Sequence, residues 1–160
     1  MHDLLIIGAG PVGLSLAIEA ARYGLTFRLI EKRDGRSRFS KALGISSSTQ
    51  EVFASMGVVQ RFQQAAHHPK GVCFHDGGIE LGRAILSGLV DSPYPELMIL
   101  PQRETERLLE DRLAELGHSP ERGLELIAYQ TQPSGITATL RAADGTETTD
   151  QARWLVGCDG

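Results

Sequence analysis

The sequence predicts an α/β chain with a parallel sheet, crossover helices and an added β-meander, and three observations predict it. The run "LLIIG", Leu4 to Gly8, is wholly apolar and closed by glycine, as in a strand buried on both faces. A helical pattern follows at once and leads into "TFRLIE", Thr26 to Glu31, so that strand, helix and strand form one right-handed crossover unit. Further on, "LELIAYQ", "GITATLR" and "ARWLVGCDG" read as successive strands, with "AADGT" turning the chain between the last two.

Each element has its own justification. From Pro11 to Tyr23, Val12, Leu14, Leu16, Ala17, Ala20 and Ala21 recur at three- and four-residue spacing, and Gly24 supplies the stop. Asp34 to Gly44 is rich in glycine, serine and arginine and reads as a loop. "SSSTQEVFASMGV" has serine caps, Glu51 near its start, and Val52, Phe53 and Met56 on one face before Gly57. "GVCFHDGGIELG" is a predicted hairpin about Asp76, Gly77 and Gly78, and the two prolines of "SGLVDSPYPELM" predict irregular backbone. "MILPQ" is a brief strand. The helix from Arg103 to Leu116 carries Leu108, Leu109, Leu113 and Leu116 on one face, with its charges expected on the other, and stops at Gly117. "HSPERG" reads as a turn, and Glu147 and Asp150 as solvated hairpin charges.

Composition narrows the function classes. The chain has 160 residues, 41% hydrophobic and 22% charged, enough for one ordinary core. A net charge of -4 argues against a nucleic-acid or anionic-membrane surface. The two cysteines, Cys73 and Cys158, lack CxxC spacing, which favours a reduced, cytoplasmic setting. The apolar start lacks the basic region of a secretory leader and is expected to be a folded strand and helix. No apolar run reaches the ~18 residues of a spanning helix.

The chemistry-bearing motif is Gly8, Gly10 and Gly13, a GxGxxG between strand and helix, followed by a carboxylate, Glu31, 18 residues after the last glycine. Gly8 suits a tight turn, Gly10 a close approach of backbone to pyrophosphate, and Gly13 the pressing of helix on strand. The helix start offers free N–H groups and the positive dipole end to phosphates. Glu31 suits a ribose diol and repels a 2′-phosphate. This predicts a dinucleotide, and the motif alone leaves FAD and NAD open.

Taken together, "GAGPVGL…IEKR", "PQRETERLLEDRL" and the final "LVGCDG" resemble the FAD-dependent aromatic hydroxylases, the p-hydroxybenzoate hydroxylase-like monooxygenases, over almost the whole chain. The resemblance implies a Rossmann-like FAD-binding domain over 1–160, with FAD as cofactor and NAD(P)H as reductant. It implies hydroxylation of a small aromatic or polyketide-like substrate with O2. It assigns Gly8, Gly10, Gly13 and Glu31 to the adenosine end of FAD, with Pro11, Val12, Lys32 and Arg33 beside them as cofactor-binding residues. Lys41 stands where the family has an arginine near the pyrophosphate, with Arg36 or Arg38 as alternatives; lysine keeps the charge and loses the bidentate fork. Gln102 matches a contact to the ribityl region, with Arg103 beside it. Asp159 and Gly160 match the family's DG motif, linked to both FAD and NAD(P)H. The family continues past this motif, so the chain is expected to be an N-terminal portion with an incomplete flavin pocket, with 71–98 the first piece of a substrate-side sheet.

No catalytic acid, base or nucleophile is assigned, since the cofactor carries the chemistry. Ser46, Ser47, Ser48 and Thr49 read as helix caps, and Cys158 as a packed strand residue. His67, His68, Cys73 and His75 fit no zinc spacing, so no metal is expected. Two rivals remain, a non-oxygenating FAD oxidoreductase of the same fold and a nucleotide-binding fragment without turnover.

Overall fold

The computed structural model describes residues 1–36, 43–86 and 90–159. In chain order the elements are β1 (His2–Ile7), α1 (Pro11–Arg22), β2 (Phe27–Glu31), β3 (Gly44–Ile45), α2 (Ser47–Ser55), α3 (Val59–Ala65), β4 (Gly71–Asp76), β5 (Ile79–Ile85), β6 (Met98–Ile99), α4 (Gln102–Glu115), β7 (Glu121–Arg122), β8 (Leu124–Gln132), β9 (Gly135–Ala142) and β10 (Glu147–Gly157). The chain divides into two compact units, Met1–Phe39 with Thr105–Gly160, and Ser40–Glu104.

The first unit is a six-stranded sheet in the order β7-β2-β1-β10-β9-β8. The pairs β7·β2, β2·β1 and β1·β10 are parallel, whereas β10·β9 and β9·β8 are antiparallel, giving the crossover half and the meander half. Strand β1 is central, and Leu5 and Ile6 are fully buried, as an apolar run in a parallel sheet requires. From α1 the side chains of Leu14, Ala17 and Ile18 are fully buried, and from α4 those of Leu109 and Leu113. Ala138, Leu140 and Ala152 carry the core into the meander.

Three expectations are corrected within this unit. The "HSPERG" stretch is more than a turn, because Glu121 and Arg122 pair with Ile30 and Glu31 as β7. Arg28 grips Glu121 through Nε–Oε1 at 2.8 Å and Nη2–Oε2 at 2.6 Å, which explains so short a strand. Asp150 is not a solvated charge, since its Oδ2 lies 3.0 Å from Arg28 Nη1 with the carboxylate mostly covered. Nor do all charges of α4 face water, because Glu106 is fully buried.

The second unit holds α2 and α3, the two-residue pair β3·β6, and the β4·β5 hairpin. Ser46 caps α2 by accepting from the Thr49 N–H, as its serines suggested. Phe53 and Phe62 stack with centroids 4.1 Å apart, and Met56, Val58, Val59 and Met98 are buried with them. The sequence reading contained no helix at α3. Gln50 is buried and donates to the Glu96 carbonyl at 2.6 Å, tying the irregular segment before β6 to α2. No helix among the described residues is long and apolar enough to cross a membrane.

Candidate nucleotide site

The site lies in the first unit, where β1 ends between its two parallel neighbours. Strands β2 and β10 both close on the turn that follows it: the Gly8 N–H donates to the Ile30 carbonyl at 2.8 Å, and the Cys158 N–H to the Ile7 carbonyl at 2.7 Å. The glycine fingerprint and the Asp159 segment, 146 residues beyond Gly13, are thereby brought together.

Two of the glycines are demanded by this packing. Gly8 has φ +100°, and a Cβ there would stand 2.8 Å from the Cys158 carbonyl oxygen and 2.9 Å from the Asp159 backbone. A Cβ on Gly13 would stand 1.9 Å from the Gly8 carbonyl oxygen, so α1 can seat on the turn only if this residue has no side chain. Gly10 differs, because a Cβ there would meet nothing within 4 Å. Its bareness serves the open space above the turn. Gly10 also caps α1 without any side-chain hydrogen bond, and the first intrahelical bond is from the Leu14 N–H to the Gly10 carbonyl. The N–H groups of Val12 and Gly13 thus have no acceptor within the helix, and with the dipole they form an anion-accepting end.

Glu31, the last residue of β2, is 6% exposed. Its Oε2 accepts from the Ala9 N–H at 3.0 Å and from Arg33 Nη2 at 3.1 Å. Its Oε1 accepts from the Arg33 N–H at 3.0 Å and Arg33 Nε at 2.9 Å. Burial alone would raise this carboxyl, but the Arg33 side chain, the two backbone N–H groups and the guanidinium charge outweigh it and hold Glu31 below the usual carboxylate value. Reciprocally, the hydrogen bonds to Glu31, opposed by desolvation and aided by the charges of Glu31 and Glu106, tighten the hold of Arg33 on its proton. Desolvation, followed by the Asp159 charge, pushes the Cys158 thiol up, so Cys158 is a packed thiol and not a thiolate.

The structure therefore brings together Gly8, Gly10, Pro11, Val12, Gly13, Glu31, Arg33 and Asp159. The ammonium of Lys32 is engaged by Glu125 of β8 at 2.6 Å. Arg36 forks Glu110, with Nε and Nη2 at 2.9 and 2.6 Å from Oε2, and Arg122 takes the other oxygen. Gln102 begins α4 in the second unit. Lys41, Arg38 and Gly160 lie outside the described residues. Sequence reasoning missed two participants. The Ala9 N–H carries no side-chain signal at all, but Glu106 did: it falls at i, i+3 and i+7 with Leu109 and Leu113, a carboxylate in an apolar stripe. Among the described residues no group of three or more His, Cys, Asp or Glu comes together to hold a metal ion.

A glycine turn on a helix start, a carboxylate closing the second strand and a parallel sheet define a dinucleotide-binding protein. Comparison makes this particular: the FAD binding domain family matches residues 1–160, and the chain belongs to that family. It is 32% identical over 158 residues to pentachlorophenol 4-monooxygenase of Sphingobium chlorophenolicum, covering 98% of this chain and 29% of the relative. It is 35% identical to anhydrotetracycline monooxygenase of Streptomyces rimosus, covering 99% and 31%. Among solved structures, the flavin-dependent monooxygenase PieE, in complex with FAD and substrate, superposes with TM-score 0.90 at 26% identity, covering 99% of this chain and 30% of that one. The chain spans about a third of the length of the curated relatives it matches.

Proposed function

We propose that this chain supplies the adenosine-diphosphate end of the FAD site of a flavin-dependent monooxygenase acting on an aromatic or polyketide-like substrate. The observation that carries the reading is the pairing of the open Gly10 turn with the buried, ionised Glu31 at the neighbouring strand end. These residues fit an adenosine diphosphate: N–H groups and a helix dipole for the pyrophosphate, and a carboxylate for the ribose diol. Gly8 and Gly13 hold the turn, Gly10, Pro11 and Val12 face the pyrophosphate, and Glu31 and Arg33 take the ribose side. Lys41 and Gln102 would continue along the cofactor, and Asp159 and Gly160, the DG pair, would serve FAD and NAD(P)H binding.

The bound flavin would supply redox and oxygen-activating chemistry, with NAD(P)H as the source of electrons. The task of this chain's residues is to bind and orient. The relatives are monooxygenases for pentachlorophenol and anhydrotetracycline, which supports a ring-bearing substrate. The β4·β5 hairpin, apolar and exposed at Phe74 and Leu81, is proposed as the first piece of a substrate-side sheet. A cytoplasmic setting agrees with two free cysteines.

The test is the visible spectrum of the purified chain after mixing with FAD and desalting. Retained flavin near one equivalent, lost on Glu31→Arg, is the expected result. A folded chain that retains no flavin at any concentration sinks the assignment. For the activity, NAD(P)H oxidation that yields no hydroxylated product with any ring substrate would point to a non-oxygenating oxidoreductase.

A further inference from the structure

The β4·β5 hairpin has no core of its own. Every residue of its two strands is exposed except the half-buried Gly82, so packing fixes its direction only weakly and the root must do the rest. At that root the Leu86 N–H donates to the Lys70 carbonyl at 3.2 Å. Just before it, the main chain of His67 pairs with Ile99 of β6, its N–H and carbonyl bonded at 2.9 and 2.8 Å. A single bridge of this kind is an axis about which a hairpin can turn. A second attachment stops the turning.

His68 supplies it. In a continued helix the His67 N–H would donate to the Gln63 carbonyl in the last turn of α3, but here it is committed to Ile99. His68 Nε2, 2.9 Å from the Gln63 carbonyl oxygen, takes over that bond. A carbonyl only accepts, so Nε2 carries a hydrogen. Across the ring Nδ1 is buried without a hydrogen-bond partner and stands 3.4 Å from Glu96 Oε2. Glu96 is itself held, because its carbonyl accepts from the buried Gln50 Nε2 at 2.6 Å. With Nε2 protonated, a neutral ring would turn a bare lone pair toward this carboxylate, whereas the imidazolium offers a second N–H and a positive charge. Only the imidazolium suits both sides.

We infer that His68 is a proton-operated clamp. As imidazolium it ties the end of α3 to Glu96 and fixes the direction of the β4·β5 hairpin; on losing a proton it releases Glu96, and the hairpin loosens. The inference stands apart from the nucleotide reading. The elements around the ring carry other titratable residues: Arg61 on α3, His67 and Lys70 beside it in the chain, and Asp91 and Tyr94 on the segment of Glu96. Glu51 of α2 reaches that segment through Ser92. Of these only His67 is of the type whose charge changes between about pH 5 and 8, so it serves as the control.

A nitroxide on the exposed Cys73 of β4, with Cys158→Ala to leave one thiol, reports hairpin motion by electron paramagnetic resonance. In the 160-residue chain the ratio of mobile to ordered signal is expected to rise roughly three- to tenfold from about pH 5 to about pH 8, the scale of one lost hydrogen bond. His68→Gln keeps a donor for the Gln63 carbonyl and cannot titrate, so the ratio should become independent of pH. Glu96→Gln, on a side chain 61% exposed, should shrink the response, and His67→Gln should leave it intact. Wild-type spectra alike at both pH values overturn the clamp, as does a response that survives His68→Gln or vanishes with His67→Gln. A response undiminished by Glu96→Gln overturns the part given to Glu96. Should His68→Gln fail to melt cooperatively, the wild-type and His67→Gln spectra decide.

Discussion

The turn after β1 and the turn between β4 and β5 both depend on glycine at positive φ, and they use it differently. At Gly8 a side chain would strike the backbone of Cys158 and Asp159, and at Gly13 that of Gly8. At Gly77 and Gly78, with φ +52° and +85°, an added Cβ meets nothing within 4 Å. In the first turn the constraint is packing, because three chain segments share the space around one strand end. In the second it is the dihedral alone. A turn crowded beneath and open above is built to hold something; a turn open on all sides only reverses the chain.

The sharpest way to break the contrast is Gly13→Ala. The 1.9 Å approach to the Gly8 carbonyl leaves no rotamer to adjust, so α1 must lift from the turn. The expected loss is more than about 3 kcal/mol in urea unfolding, with flavin retention abolished. Wild-type stability in this variant would mean that the turn has slack.

Glu31→Ala comes next. It leaves the buried Ala9 N–H unpaired, while the half-exposed Arg33 can rehydrate, so the expected cost is about 1–3 kcal/mol. The pH dependence has a definite sign. Because the folded-state value of Glu31 lies below its ordinary 4.5, its stabilisation is fully present above that value and is lost as pH falls through the lowered one. The gap in unfolding midpoint between wild type and Glu31→Gln should therefore be constant at neutral pH and shrink in acid. A gap that grows in acid would reverse the assignment.

Much of this region was legible in the sequence because its signals are local. The glycine spacing, the apolar strand and the carboxylate at the second strand end lie within residues 4–31 and each reports its own conformation. What escaped was held from a distance. Strand β7 exists because Arg28 reaches Glu121 across 93 residues, and Asp150 is covered by the same arginine. Helix α3 has Val58 at its N-cap and no side-chain cap, so no punctuation announced it. Glu106 was passed over because the leucine stripe of α4 is persuasive, and a single charge inside it reads as noise. The DG segment had meaning only through resemblance, and its contact with Gly8 gives the physical reason for its place.

In the hairpin, smaller effects are expected. Gly78→Ala places an L side chain at φ +85°, which costs about 1–2 kcal/mol locally. Because a two-stranded sheet is only marginally stable on its own, that cost should open the β4·β5 pairing without lowering the global unfolding midpoint. Amide exchange separates the two: the hairpin amides should lose protection while those of β1 keep theirs. Equal loss in both would show that the hairpin is coupled to the core after all.

Smallest of all is Phe74→Ser. The side chain is 55% exposed on a strand with no buried residue, so little apolar area returns to water when the ring is removed, and global stability should change by less than about 0.5 kcal/mol. The informative readout is association. Val72 and Phe74 lie on one face of the hairpin, opposite Ala84 and Gly82, while Leu81 and Ile85 lie on its other face, and exposed apolar residues on so short a sheet favour contact between copies at high concentration. Light scattering of the concentrated chain should fall with Phe74→Ser while the melting temperature holds. A melting temperature that drops by several degrees would instead mean that Phe74 is already packed, and the difference between the two turns would then lie in the glycines alone.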